Sequence, residues 1–278
     1  MKTVTLKSRF SMPALGIGTF SFGGEHEPDH SRDEEWINTI RTAIKMGYTH
    51  IDTAEVYGGN HTEELVGEAI RGFDTNELLI TSKVYNTHFR YDDLIAAAKA
   101  SLKRMGIKHL DLYLLHSSNP DVPIQETMEA MNALVNHKLV RNIGVCNFSI
   151  EELKEAQKCS AAKIVANQMK LSLWTKAPAD VATMNYCQEH DIMVIAYKLF
   201  GRGKLLTDRV PLLIELASKY RKSQAQILIN WATAKKNFSI IFTSMNKQHL
   251  EENQAGLDFE MLAVDHARID KLYRWKKC

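Results

Sequence analysis

A chain of 278 residues with 45% hydrophobic and 24% charged positions can bury a full core, as one large α/β domain or two smaller ones. Its formal net charge of +2 supplies no field for nucleic acid, no run of about 18 apolar residues offers a membrane span, and no charged-then-apolar leader opens the chain, so a cytoplasmic protein is expected. Four cysteines without a C-x-x-C pair give neither a disulfide framework nor cysteine zinc spacing, and no metal is expected.

The chain opens on two short alternating segments, 4–6 and 11–15, which predict a β-hairpin ahead of any helix. From residue 15 onward, strand-like runs alternate with amphipathic stretches across short polar joints. Strands are predicted near 16–19, 48–52, 78–83, 110–116, 140–145, 164–168, 192–197 and 239–243. Helices are predicted over 31–46, 62–71, 91–105, 125–137, 150–158, 177–190, 212–235 (broken near 222–223) and 247–256. Leu94, Ala97, Ala98, Leu102 and Met105 form one apolar stripe, Ser149 with Glu152 reads as a capping box, and Ser223 precedes another apolar run. No composition break marks a linker. Eight β/α units in about 260 residues point to a single domain over 1–278, a closed (β/α)8 TIM barrel with an N-terminal hairpin. A doubly wound sheet is the runner-up, but Gly16-Ile17-Gly18, Phe22-Gly23-Gly24 and Gly201-Arg202-Gly203 do not supply its G-x-G-x-x-G fingerprint.

Three successive strands end in polar groups: Asp52, Lys83 and His116. In a parallel sheet or barrel those ends lie side by side, and Tyr57, five residues past Asp52, can fold back over them. A phenol with a free pKa of about 10 donates a proton at neutral pH only if its anion is stabilised. A neighbouring ammonium supplies that, a buried carboxylate keeps the ammonium charged and aimed, and an imidazole holds a carbonyl oxygen. Singly, each residue has a bland reading: a cap for Asp52, a solvated lysine, a satisfied core histidine, a turn aromatic. Their joint placement favours a catalytic group. His50, two residues before Asp52, shares its pleat face but lies deeper and is expected to pack in the barrel interior.

Gly47-Tyr48-Thr49-His50-Ile51-Asp52-Thr53-Ala54-Glu55-Val56-Tyr57-Gly58, Ser82-Lys83 and Asp111-Leu112-Tyr113-Leu114-Leu115-His116 resemble motifs of the aldo-keto reductases, and the likeness runs from Met12 to Asn253, although Asn60 stands near the place of a usual Glu. The resemblance implies an oxidoreductase that reduces aldehydes or ketones with NAD(P)H, with Asp52, Tyr57, Lys83 and His116 as its catalytic four and no metal. It places a nicotinamide dinucleotide against Gly18, Thr19, Asp52, Cys146, Asn147, Gln168, Tyr197, Lys198, Leu199, Gly203, Thr243, Ser244, His249, Glu252 and Asn253. Asn147 and Gln168 would hold the carboxamide and Tyr197 would stack on the ring. Cys146 stands where the family has Ser, and a thiol is a weaker donor.

Other departures concern cofactor choice and substrate. Lys198-Leu199-Phe200 replaces Ser-Pro-Leu, and Lys198, Arg202 and Lys204 are candidate phosphate ligands or a solvated basic loop. Thr243 and His249 stand where members that select a 2′-phosphate carry Lys and Arg, so NADP(H) is expected ahead of NAD(H) with reduced discrimination. For substrate, Phe20, Tyr57, His116, Ser117 and Trp174 are the expected contacts. A monomeric or weakly associating enzyme is expected. The rival readings are a nicotinamide-cofactor-sensing binding module with slow turnover and a lyase using Lys83 as a Schiff-base nucleophile.

Overall fold

The computed structural model describes residues 1–172 and 178–273. Its strands are β1 (Thr3–Thr5), β2 (Ser11–Pro13), β3 (Leu15–Gly18), β4 (His50–Asp52), β5 (Leu79–Val84), β6 (Leu110–Leu115), β7 (Val140–Cys146), β8 (Ile164–Lys170), β9 (Met193–Tyr197) and β10 (Phe238–Phe242). The last eight close a parallel barrel in the order β10-β3-β4-β5-β6-β7-β8-β9, and β1 and β2 form the separate two-stranded antiparallel sheet. The eight-stranded barrel and the hairpin are thus as the sequence predicts. The helices are α1 (Asp33–Lys45), α2 (His61–Ile70), α3 (Tyr91–Met105), α4 (Ile124–Asn136), α5 (Ile150–Lys158), α6 (Pro178–Glu189), α7 (Lys204–Thr207), α8 (Pro211–Tyr220), α9 (Gln224–Thr233), α10 (Lys247–Gln254) and α11 (Ala263–Leu272).

Contacts divide the chain into two compact units, one of Gly16–Gln168 and one joining Met1–Leu15 to Met169–Cys278. The first holds β4 to β7, most of β3 and β8, and α1 to α5. All six residues of Leu-Asp-Leu-Tyr-Leu-Leu in β6 are buried, as a strand covered on both faces requires. The expected stripe Leu94, Ala97, Ala98, Leu102 and Met105 is the buried face of α3. Ser149 and Glu152 make both halves of the predicted capping box on α5. Parallel registers set the strand ends level: Gly18 pairs with Asp52, Asp52 with Thr81, and Lys83 with Leu114. His50 is fully buried with Nε2 3.0 Å from Thr81 Oγ1, in the deeper position expected of it. Gly16 makes room for that ring, since a Cβ there would stand 2.3 Å from His50 Nδ1.

In the second unit, the predicted helix over 212–235 is two helices. Arg221 ends α8 in the left-handed region (φ 53), and Ser223 with Gln226 forms a capping box that starts α9. Helix α11 lies beyond the elements the sequence predicts. It has little apolar periodicity because buried acids hold it: Asp265 accepts from Lys219 Nζ at 2.6 Å and Tyr220 Oη at 2.5 Å, and Asp270 accepts from Trp231 Nε1 at 2.8 Å and Lys235 Nζ at 2.6 Å.

Candidate active site

Asp52 closes β4, Lys83 is the fifth residue of β5, and His116 directly follows β6 with its N–H donating to Val84 O at 3.0 Å. Tyr57 returns toward them through a tight turn in which its N–H donates to Ala54 O at 3.1 Å. The turn continues through Gly58 (φ 53) and Gly59 (φ 56), a left-handed path that favours glycine. A Cβ on Gly58 would also stand 2.4 Å from Gly23 O, so that position has neither the angle nor the space for another residue.

The three N–H donors of the Lys83 ammonium all have acceptors: Asp52 Oδ1 at 2.5 Å, Thr53 O at 2.8 Å and Tyr57 Oη at 3.3 Å. Lys83 is 0% and Asp52 1% exposed. Burial by itself would lower the lysine's pKa, but Asp52 foremost, with Tyr57, carries it above its ordinary value, so Lys83 stays charged. The second Asp52 oxygen, Oδ2, accepts from Gln168 Nε2 at 2.7 Å, which fixes the carboxylate. For Tyr57, burial drives the pKa up while the Lys83 ammonium opposes it; burial wins, and the phenol is pushed up to about 12. The expected lowering by Lys83 therefore operates without setting the net direction. His116 is pushed down to about 3 by burial and by Lys83, so its ring is neutral. Its ring centroid lies 5.7 Å from that of Tyr57, edge to face, and Phe20 meets Tyr57 from another side at 5.2 Å.

The remaining predicted positions fall as follows. Gly18 ends β3, and the Thr19 hydroxyl is committed to Asp52 O at 3.0 Å. Cys146, at the end of β7, is buried, and burial raises its pKa, so it is a neutral thiol. Asn147 is exposed in the left-handed region (φ 57), its N–H donating to Gln168 O at 2.9 Å. Ser117 is half-buried beside His116. In the second unit, Tyr197 ends β9, Lys198 follows in the left-handed region with its Nζ 5.6 Å from the Tyr197 ring centroid, Leu199 is buried, and Gly203 (φ 86) precedes α7. Thr243 is exposed just past β10, while the Ser244 hydroxyl accepts from Asn246 N–H at 3.2 Å. His249 lies exposed on α10, Glu252 is half-buried and Asn253 is buried. Trp174 lies outside the described residues.

The sequence profile described as Aldo/keto reductase family matches residues 14–274. The chain belongs to the aldo/keto reductase family. The glyoxal reductase of Bacillus subtilis (strain 168) is 34% identical over 274 residues, covering 97% of this chain and 92% of its own. The solved structure of a thermostable aldo-keto reductase, Tm1743, in complex with the inhibitor epalrestat is 40% identical with a TM-score of 0.94, over 98% of this chain and all of that one. An aldo/keto reductase from Klebsiella pneumoniae, solved with NADP and acetate, is 31% identical with a TM-score of 0.87, over 98% and 95% of the two chains. This aldo/keto reductase is an oxidoreductase of carbonyl compounds.

Two residues of the reductase escaped the sequence reading. Glu63, fully buried, accepts from Ser82 Oγ at 2.5 Å and from Arg104 Nε at 2.7 Å, bracing the strand next to Lys83. An acid in the first turn of a helix reads as a favourable dipole partner, and only the fold turns it inward. Tyr85, 40% exposed, stands edge to face with His116 at 6.1 Å. An aromatic two residues past Lys83 was its only signal in the sequence.

Proposed function

We propose that the protein reduces small aldehydes and ketones, α-oxoaldehydes among them, to alcohols using NADPH ahead of NADH, with Tyr57 as the general acid. The observation that carries this reading is the saturated ammonium: Lys83 donates to Asp52, Thr53 and Tyr57 at once. Because Tyr57 Oη accepts from Lys83, its own O–H points elsewhere and serves a carbonyl oxygen as the donor. The ammonium next to it stabilises the phenolate left when the proton has gone. A neutral His116 holds the same oxygen through a ring N–H. Phe20, Tyr85 and Ser117 line the approach.

The donor set fits a nicotinamide carboxamide. Gln168 gives its amide N–H to Asp52, which leaves its carbonyl oxygen as an acceptor, and Asn147 offers an exposed amide one residue past β7. Bound NAD(P)H supplies the hydride that adds to the carbonyl carbon. In the second unit Tyr197 is assigned to the ring face and Lys198, Arg202 and Lys204 to the phosphates. Asp52 serves by orienting Lys83, and no group of the mechanism needs a metal. The reductase is further assigned to the cytoplasm, as a monomer working as a single barrel domain.

The test is steady-state oxidation of NADPH and NADH across glyoxal, methylglyoxal, sugars, aromatic aldehydes and ketosteroids. Rapid turnover with small aldehydes is expected. Stoichiometric cofactor binding without turnover on any of them would favour a cofactor-sensing module instead, and borohydride trapping of substrate on Lys83 would favour a lyase.

A further inference from the structure

Apart from the residues assigned to carbonyl reduction, His30, Asp33 and His61 bring three metal-ligating side chains together, one donor atom of each lying within 4.8 Å of the others. They arrive from two segments: His30 just ahead of α1 and Asp33 as its first residue, and His61 as the first residue of α2. The His61 side chain is enclosed at 8% exposure, Asp33 is 30% and His30 67% exposed. His61 Nε2 lies 2.8 Å from Asp33 Oδ1, and His30 Nδ1 lies 3.2 Å from Asp33 Oδ2. On the far side of the His61 ring, Nδ1 lies 2.9 Å from Glu64 Oε2.

This is the arrangement in which a carboxylate fixes a ligating histidine. A ring N–H given to a carboxylate sets the tautomer and turns the opposite lone pair toward the ion. With Nδ1–H on Glu64, His61 presents the Nε2 lone pair to an Asp33 oxygen, two acceptors face to face, a conflict that a proton or a cation at that point removes. Tetrahedral zinc, about 2.0–2.1 Å from each nitrogen or oxygen donor, sets ligand atoms about 3.3–3.4 Å apart. The measured separations to the two Asp33 oxygens, 2.8 and 3.2 Å, are hydrogen-bond lengths a little shorter than that, so the side chains part slightly to admit an ion, and the exposed His30 ring has room to do so.

We propose that His30, Asp33 and His61 form a binding site for a divalent transition ion of the Zn²⁺ type, with Glu64 holding His61 from behind. Two imidazoles and one carboxylate select such ions over Mg²⁺ and Ca²⁺, which take all-oxygen sets. Three protein ligands leave a fourth position for water. The ion also has a mechanical consequence, because the segment before α1 is laced to the turn that carries Tyr57. Thr62 Oγ1 donates to Phe22 O, Gly58 N–H donates to Glu25 O at 3.4 Å, and a Cβ on Gly59 would stand 2.9 Å from Pro28 Cδ. An ion joining His30 and Asp33 to His61 clips that segment to the end of the Tyr57 turn.

The experiment is a calorimetric titration of the tag-free protein with ZnCl2, with melting temperature followed in parallel, for wild type, His30→Ala and Glu64→Gln. Both substituted side chains are exposed, so both variants are expected to fold, as circular dichroism would verify. One Zn²⁺ per chain, a melting temperature that rises with zinc, and affinity weakened at least tenfold in each variant are expected. Carbonyl reduction by metal-free His30→Ala should equal that of metal-free wild type. Mg²⁺ in large excess should not displace the zinc. Absence of saturable binding to the wild type would overturn the proposal. So would binding that keeps its affinity in both variants, because the ion would then sit elsewhere.

Discussion

Lys83 has three N–H donors and three acceptors, so each substitution around it has a distinct consequence. Lys83→Met leaves the Asp52 carboxylate buried without its cation and removes the charge beside Tyr57. Loss of turnover by at least about 10²-fold is expected, together with a destabilisation of roughly 3–5 kcal/mol. Asp52→Asn keeps an oxygen able to accept from Lys83, so its loss of turnover should be smaller. Initial rates of NADPH oxidation together with melting curves check both. A folded Lys83→Met with near-normal rates would remove the ammonium from the chemistry. At this scale the meeting of Lys83 with Asp52 and Tyr57 was legible because polar residues ending successive strands of a parallel barrel come side by side. Glu63 was not, since its role depends on which way α2 faces. The His30–Asp33–His61 cluster was not either, because its members come from segments 28 residues apart with no metal spacing between them.

At the scale of elements, the proposed cofactor preference turns on the junction of β10 and α10. Thr243 follows β10 directly, Asn246 caps α10 by accepting from Gln248 N–H at 2.8 Å, and Lys247 lies 3.4 Å from Glu251. A lysine already facing an acid is a poor substitute for the cations absent at Thr243 and His249. Thr243→Lys with His249→Arg should raise the ratio of kcat/KM for NADPH over NADH, each charge-assisted contact being worth roughly 1.5–3 kcal/mol. NADH has no 2′-phosphate to receive them, so its own kcat/KM should hardly change. If the unmodified protein already prefers NADPH by more than about a thousandfold, roughly 4 kcal/mol, other groups bind that phosphate. Elements with an apolar period or a capping box, such as α3, α5 and α9, were legible in the sequence. Helix α11 carries neither signal, and its buried Asp265 and Asp270 find their cations on α8 and just past α9.

For the whole molecule, alternation of buried strand and amphipathic helix was enough to predict the eight-stranded barrel. The energetic signature of burying histidines within it was not written in that pattern. Burial pushes His50 down to about 4 and His116 to about 3. Below their ordinary value of about 6.5 the unfolded chain binds protons there that the folded chain refuses, so stability falls as pH drops from about 6.5 toward 4 and below. His61, whose pKa is raised by Glu64 and Asp33 against the effect of burial, contributes with the opposite sign and offsets part of this. Urea unfolding should therefore show a lower midpoint at pH 5 than at pH 7.5, and His50→Gln should flatten the dependence. A His50→Gln variant with the same pH dependence as the wild type would mean that this ring is not held neutral.

The most direct test is Tyr57→Phe, which removes one oxygen and leaves the ring packed between Phe20 and His116. NADPH oxidation with methylglyoxal should fall by about 10²–10⁴-fold, while NADPH affinity, followed by fluorescence quenching, stays close to that of the wild type because the hydroxyl acts on the substrate oxygen. Turnover above about a tenth of wild type would show that the proton comes from another group and that Tyr57 is not the general acid.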